Sequence, residues 1–77
     1  MKAKIEVFLK PEVLDPQGET IKRALHTLGY ETVKEVRQGK VFYIDLEDEN
    51  PEKVIEEIAR KVLSNPVIED FRWEIEK

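Results

Sequence analysis

The sequence predicts an α+β domain of βαββαβ order, with a four-stranded antiparallel sheet and two helices on one face. Three observations predict it. Apolar residues alternate with polar ones near both termini and again after Gly39. Two Pro-led segments, after Asp15 and after Asn50, carry apolar residues at helical spacing. Gln38-Gly39 stands between two extended runs, where a tight turn would join them.

The first strand covers residues 2–10. Ala3, Ile5, Val7 and Leu9 face one way, and Lys2, Lys4, Glu6, Phe8 and Lys10 the other. Period-two alternation marks a half-buried strand; Phe8 is the odd member of its polar face. Pro11 ends the run. Asp15 is placed to cap a helix with Pro16 at its first position, reaching about Leu28. Ile21, Ala24, Leu25 and Leu28 form its apolar stripe, Glu19 and Arg23 a supporting pair, and Gly29 the left-handed residue after its end.

Residues 32–38 and 40–47 read as a hairpin around Gln38-Gly39, with Gly39 supplying a positive φ. A two-residue loop sets Val36 against Val41, Lys34 against Tyr43 and Val33 against Ile44. It also sets Arg37 against Lys40, a like-charge pair that an acidic partner, a ligand anion or a different loop length would relieve. Asn50-Pro51 repeats the cap for a second helix over 51–63, with Val54, Ile55, Ile58, Ala59, Val62 and Leu63 apolar. Asn65-Pro66 stops it. The last strand runs from Val67 to Glu76, alternating Phe71, Trp73 and Ile75 with charges. In ferredoxin-like order the first and third strands are central. The charged second strand suits an edge. The helix-free sheet face then holds Phe8, Val36, Val41 and Tyr43 within a charged rim, a pattern that suggests a homo-oligomer interface.

With 77 residues the chain makes one domain, 1–77. A core of this size supplies on the order of 3–5 kcal/mol, so oligomerisation is the expected support once disulfides are excluded by the absence of cysteine. One histidine builds no histidine metal cluster, and no metal site is expected. Seventeen acidic against thirteen basic residues disfavour nucleic acid. The N-terminal stretch has no apolar run of signal or membrane length. The abundance of Glu and Lys resembles proteins from hot environments.

No catalytic constellation emerges. Gly18, Gly29 and Gly39 are too dispersed for a phosphate loop, which also argues against an acylphosphatase-type enzyme. His26 reads as an exposed helix residue, Thr20 and Ser64 as cap or solvent hydroxyls, and Trp73 as core or interface. Glu56 and Glu57 point about 100° apart on a helix and form no acid–base pair.

Four segments together resemble the PurS family, the small subunit of phosphoribosylformylglycinamidine (FGAM) synthase. They are Leu14-Asp15-Pro16-Gln17-Gly18, Ala24-Leu25 with Leu28-Gly29-Tyr30, Val36-Arg37-Gln38-Gly39-Lys40, and Leu63-Ser64-Asn65-Pro66-Val67-Ile68-Glu69. ACT-type regulatory modules share the element order, but they expect a glycine-containing ligand loop where this chain has its Asp-Pro-Gln-Gly helix start. The resemblance implies a cytoplasmic, non-catalytic subunit of a ligase complex (EC 6.3.5.3) in de novo purine biosynthesis. Such a subunit bridges the glutaminase PurQ and the ATP-dependent PurL and assists ammonia transfer. It implies a homodimer or tetramer, no membrane or nucleic-acid partner, and no cofactor on this chain; ATP, Mg and glutamine serve the complex. Asp15, Pro16, Asn65 and Pro66 fall to structural roles, as capping and turn geometry also suggests. Gly18, Gly39, Arg37 and Lys40 are the partner-binding candidates: Gly18 leaves room for a backbone to approach, and the two cations stand on a hairpin tip.

Overall fold

The computed structural model describes residues 1–76. Along the chain lie β1 (Lys2–Leu9), α1 (Pro16–Thr27), β2 (Gly39–Asp45), α2 (Pro51–Ile58), a π-helical turn (Ala59–Leu63) and β3 (Glu69–Glu76). The strands form one antiparallel sheet in the order β2-β1-β3, with Ile5 opposite both Phe42 and Trp73.

The alternation of β1 does what its pattern requires. Ala3, Ile5 and Val7 point to one side and, with Ile55 and Ala59 of the second helical segment, form a core no more than 1% exposed. Phe42, Ile44, Leu63, Phe71, Trp73 and Ile75 pack around it, half-buried. The Trp73 indole N–H donates to Glu56 Oε1 at 3.1 Å, so its polar atom is satisfied at the helix–sheet junction. The chain departs from α geometry at Ala59, whose carbonyl accepts from both Ser64 N–H (3.0 Å) and Ser64 Oγ (2.7 Å). That five-residue step widens the last turn, and Val62, expected in the buried stripe, is exposed.

The sheet has three strands, not four. Residues 33–38 belong to no strand, and no hairpin forms at Gln38-Gly39. Gly39 has no positive φ; among the described residues Gly29 alone does, at 101°. The chain runs straight through Gly39 into β2. Glycine is required there for another reason: a Cβ would come 2.8 Å from the Val7 carbonyl oxygen. The hairpin loses because Lys34, Glu35 and Arg37 offer little apolar area to β2, while the N-terminal end of α1 offers hydrogen bonds.

The expectation of two helices on one sheet face also fails for α1. Of its residues Gly18 alone is buried; Ile21 is 41% and Leu28 72% exposed. Residues 10–38 form an arm beyond the sheet. The molecule measures 51 × 28 × 14 Å and has a radius of gyration of 15.8 Å. A compact chain of this length has about 11 Å.

Candidate partner-binding site

The arm is fastened at Asp15. Pro16 holds the first helical position, and Asp15 Oδ1 accepts the Gly18 N–H at 2.9 Å, the bond of a helix N-cap. Its other oxygen accepts the Gln38 N–H at 2.7 Å. One carboxylate thus ties the start of α1 to the chain entering β2. These two backbone bonds, Gln38 first, hold the Asp15 pKa below its ordinary value of 3.8. Gly18 lets residues 33–38 close up against α1: a Cβ there would collide with the Val36 carbonyl oxygen. The approaching backbone expected at Gly18 is therefore the chain's own.

At the far end, α1 closes with Gly29 N–H on His26 C=O (3.0 Å) and Tyr30 N–H on Leu25 C=O (2.9 Å), the paired bonds of a Schellman end. His26 Nε2 donates to the Val33 carbonyl at 2.8 Å. Sequence reasoning left His26 as a solvent residue, since a bond across seven residues has no local signature. Asn50 precedes α2 but makes no side-chain cap bond; its N–H goes to Asp48 Oδ1. Asn65 accepts the Val67 N–H on its side chain and the Ile68 and Glu69 N–H groups on its carbonyl. With Pro66 it makes the turn into β3 by geometry alone.

Arg37 lies in the segment leading into β2 and Lys40 in β2 itself, not on a hairpin tip. Arg37 Nη2 donates to the Lys10 carbonyl at 3.0 Å, and Lys40 Nζ lies 3.8 Å from Glu69 while remaining exposed. Phe8, Val41 and Tyr43 do share the helix-free face, since β1 sets Glu6 opposite Val41 and Lys4 opposite Tyr43. Val36 is on the arm. The face is more charged than apolar: Arg72 lies 5.7 Å from the centre of the Phe8 ring and 2.9 Å from Glu6, and Lys4 bridges Glu6 and Glu74. The Arg72 bond holds the Glu6 pKa below 4.5. Tyr43, 71% exposed, and Val41, 48% exposed, are its bare apolar members.

A recess of about 140 Å³ lies under the fastening, lined by Val7, Phe8, Asp15, Gln38, Lys40 and Glu69 among others. Larger recesses, of about 300–400 Å³, lie elsewhere on the surface. The ionisable groups of the small recess are already paired with backbone N–H groups or with each other. Among the described residues no three His, Cys, Asp or Glu groups gather as a metal site. Among the described residues no helix is long and apolar enough to cross a membrane. What the geometry offers is an unpaired ribbon, a bare helix stripe and two exposed aliphatic or aromatic side chains: surface for a partner.

Residues 2–77 match the family model described as PurS, phosphoribosylformylglycinamidine (FGAM) synthase. The chain belongs to the PurS family. PurS is a subunit of FGAM synthase, an activity of purine biosynthesis. The FGAM synthase subunit PurS of Methanocaldococcus jannaschii is 48% identical, with 99% of this chain and 95% of that protein covered. PurS of Bacillus subtilis has a crystal structure that matches with a TM-score of 0.91 at 41% identity, covering 99% of this chain and 98% of that one. A chain of the PurLQS structure of Thermotoga maritima matches with a TM-score of 0.74 at 28% identity, covering 95% and 93%.

Proposed function

We propose that this chain serves FGAM synthase as a non-catalytic homodimeric subunit that bridges PurL and PurQ and helps ammonia pass between them. The observation that carries the reading is the family match over residues 2–77. The Thermotoga maritima PurLQS assembly supports PurL and PurQ as the partners. The homodimer is supported by the uncovered stripe of α1 and the unpaired residues 33–38, on a chain whose fully buried apolar core is five residues. On this reading ATP, Mg and glutamine are used by the other subunits, in the cytoplasm, and this chain holds no cofactor and no nucleic acid. Sequestering ammonia from water is a physical reason for such assembly.

The test is glutamine-dependent FGAM formation by purified PurL and PurQ, with and without this chain. Activity that depends on its addition supports the reading. Unchanged activity with the chain folded removes it. Arg37 and Lys40 are the proposed contacts with an acidic partner surface. Arg37→Ala with Lys40→Ala should weaken assembly about tenfold or more while the melting temperature stays within about 3 °C. Normal assembly of that variant would place the contact elsewhere.

A further inference from the structure

The sheet has an edge opposite β2. β3 pairs with β1 alone, and its eight residues keep an unbroken register from Leu9 opposite Glu69 to Lys2 opposite Glu76. The bond from Lys10 N–H to Ile68 C=O (2.9 Å) continues that register and shows which backbone groups β1 takes. Bonded and unbonded residues alternate in an antiparallel pair, so β1 takes the even-numbered residues of β3. Phe71, Trp73 and Ile75 turn their N–H and C=O groups outward, and among the described residues nothing bonds to them. A proline or a bulge is a usual way to blunt such an edge. β3 has neither.

The two faces of this edge differ in chemistry. On the helix side Phe71, Trp73 and Ile75 pack against the core yet are only half-buried. On the helix-free side stand Asp70, Arg72, Glu74 and Glu76, all exposed. Arg72 is engaged by Glu6, and Glu74 by Lys4; Asp70 and Glu76 have no ion pair among the described residues. Three carboxylates therefore stand with one guanidinium that is already committed. A second β3 laid along this edge would add three more carboxylates, and like charges opposite each other on neighbouring strands repel. A strand with Lys or Arg on that side is drawn to it instead.

We propose that the β3 edge takes an extended segment of a partner subunit, one that alternates basic with aliphatic residues. The outward backbone groups of Phe71, Trp73 and Ile75 supply the affinity, and alternate side chains select the segment. Its basic residues lie beside Asp70, Glu74 and Glu76, and its aliphatic residues beside Phe71, Trp73 and Ile75. Opposed residues of neighbouring strands share a face of the sheet, so one alternating segment meets both demands. The proposal rests on the reading of this chain as a subunit, and adds where a partner attaches and what it must carry. It uses neither Arg37 nor Lys40 and is a contact separate from theirs.

Amide exchange tests this residue by residue. In the isolated chain the Phe71, Trp73 and Ile75 amides should exchange fast, and those of Arg72 and Glu74, bonded to β1, slowly. In the active assembly with purified PurL and PurQ the three fast amides should slow at least about tenfold. Asp70→Lys with Glu74→Lys, at two exposed positions, should leave the chain folded and remove that slowing. Slowing that survives in this variant overturns the proposal, since charge then does not select the segment. An active assembly in which the three amides exchange as fast as in the isolated chain also overturns it, and leaves the subunit reading standing. If the chain neither assembles nor alters FGAM formation, the subunit reading falls, and a peptide decides what the edge accepts. A peptide of the length of β3 that alternates Lys with Val should slow the three amides, and one that alternates Glu with Val should not. The preference should reverse in the double variant. Equal slowing by both peptides, or by neither, overturns the proposal. Slowing that grows with the concentration of the chain alone assigns the edge to a second copy and overturns it as well.

Discussion

The two halves of this molecule start alike and end differently. Each has a Pro-led helix with an apolar stripe, flanked by extended chain. The second helical segment lies on the sheet, and Ile55 and Ala59 are sealed against Ala3, Ile5 and Val7. In the arm, α1 has a stripe of the same spacing, yet Leu28 stays in water. The connections make the difference. The second helical segment joins β2 to β3, two strands on either side of β1, and must cross over the sheet between them. The arm is bound back on itself at Asp15, Gly18 and His26, and these bonds hold α1 to residues 33–38 and away from the sheet. An amphipathic pattern states that a face will be covered; it does not state by which chain.

The largest expected effect lies in the sheet half. Ile5→Ala or Ile55→Ala removes a side chain with no exposure and should cost roughly 2–5 kcal/mol. That approaches the whole stability of so small a core. Urea unfolding should show either variant largely unfolded or with a midpoint lowered by more than half. The same truncation at Leu28 should leave the stability of the isolated monomer within about 0.5 kcal/mol. If Leu28→Ala destabilised the monomer as much as Ile5→Ala, the arm would be packed on the sheet, and the contrast would disappear.

A smaller, local effect is expected at the fastening. Gly18→Ala places a methyl group where the Val36 carbonyl now sits, so residues 33–38 must leave α1. Amide exchange at residues 33–38 should quicken at least about tenfold, with the amides of β1 unchanged, because local opening and global unfolding are separate events. Equal acceleration at Ile5 would show that arm and sheet unfold together.

This division also explains how much could be read from the sequence. The alternation at Ala3, Ile5 and Val7, the Asp15-Pro16 cap and the positive φ at Gly29 are local consequences of residue type, and all three stand as read. The hairpin at Gln38-Gly39 was a decision between two distant partners for residues 33–38. Glycine was right at Gly39 for the wrong reason, since tight approach to Val7 and a positive φ leave the same mark in a sequence. Asp15 was legible as a cap, but its second bond, to Gln38 across 23 residues, was not. The four-stranded sheet expected from the pattern is overturned: the sheet has three strands, because residues 33–38 bond to the start of α1 instead of pairing with β2.

A further effect separates the halves by pH. The folded pKa of Asp15 lies below its ordinary value of 3.8, so the unfolded arm binds the proton more readily than the folded one. The contribution of Asp15 is therefore complete above the ordinary value and is lost as pH falls through the folded one. Between neutral pH and the ordinary value the arm should stay fastened; below it, exchange at Gln38 and Gly18 should rise while β1 remains protected. Asp15→Asn keeps an acceptor for one N–H but no charge to titrate, and should abolish that acid step while lowering the melting temperature by on the order of 5 °C. A step that persists in Asp15→Asn would belong to other carboxylates.

The smallest effect is expected where the structure looks most decorated. On the helix-free face Arg72 touches both Glu6 and the Phe8 ring, and Lys4 joins Glu6 to Glu74. These groups are in contact with water, which screens their attraction and leaves their side-chain entropy to be lost on pairing. Arg72→Ala should shift the melting temperature by less than about 3 °C, and the shift should vanish in strong salt. The Glu6 pKa should rise toward its ordinary value in that variant, since the Arg72 bond is the first cause of its depression. Titration of Glu6 by NMR reads this directly. A large loss of stability would mean that this charged face carries part of the core's work and that the helix side is not the only support of the sheet. A small one leaves the sheet held by Ile5, Ile55 and their neighbours, with the open face free to change its charges as a partner requires.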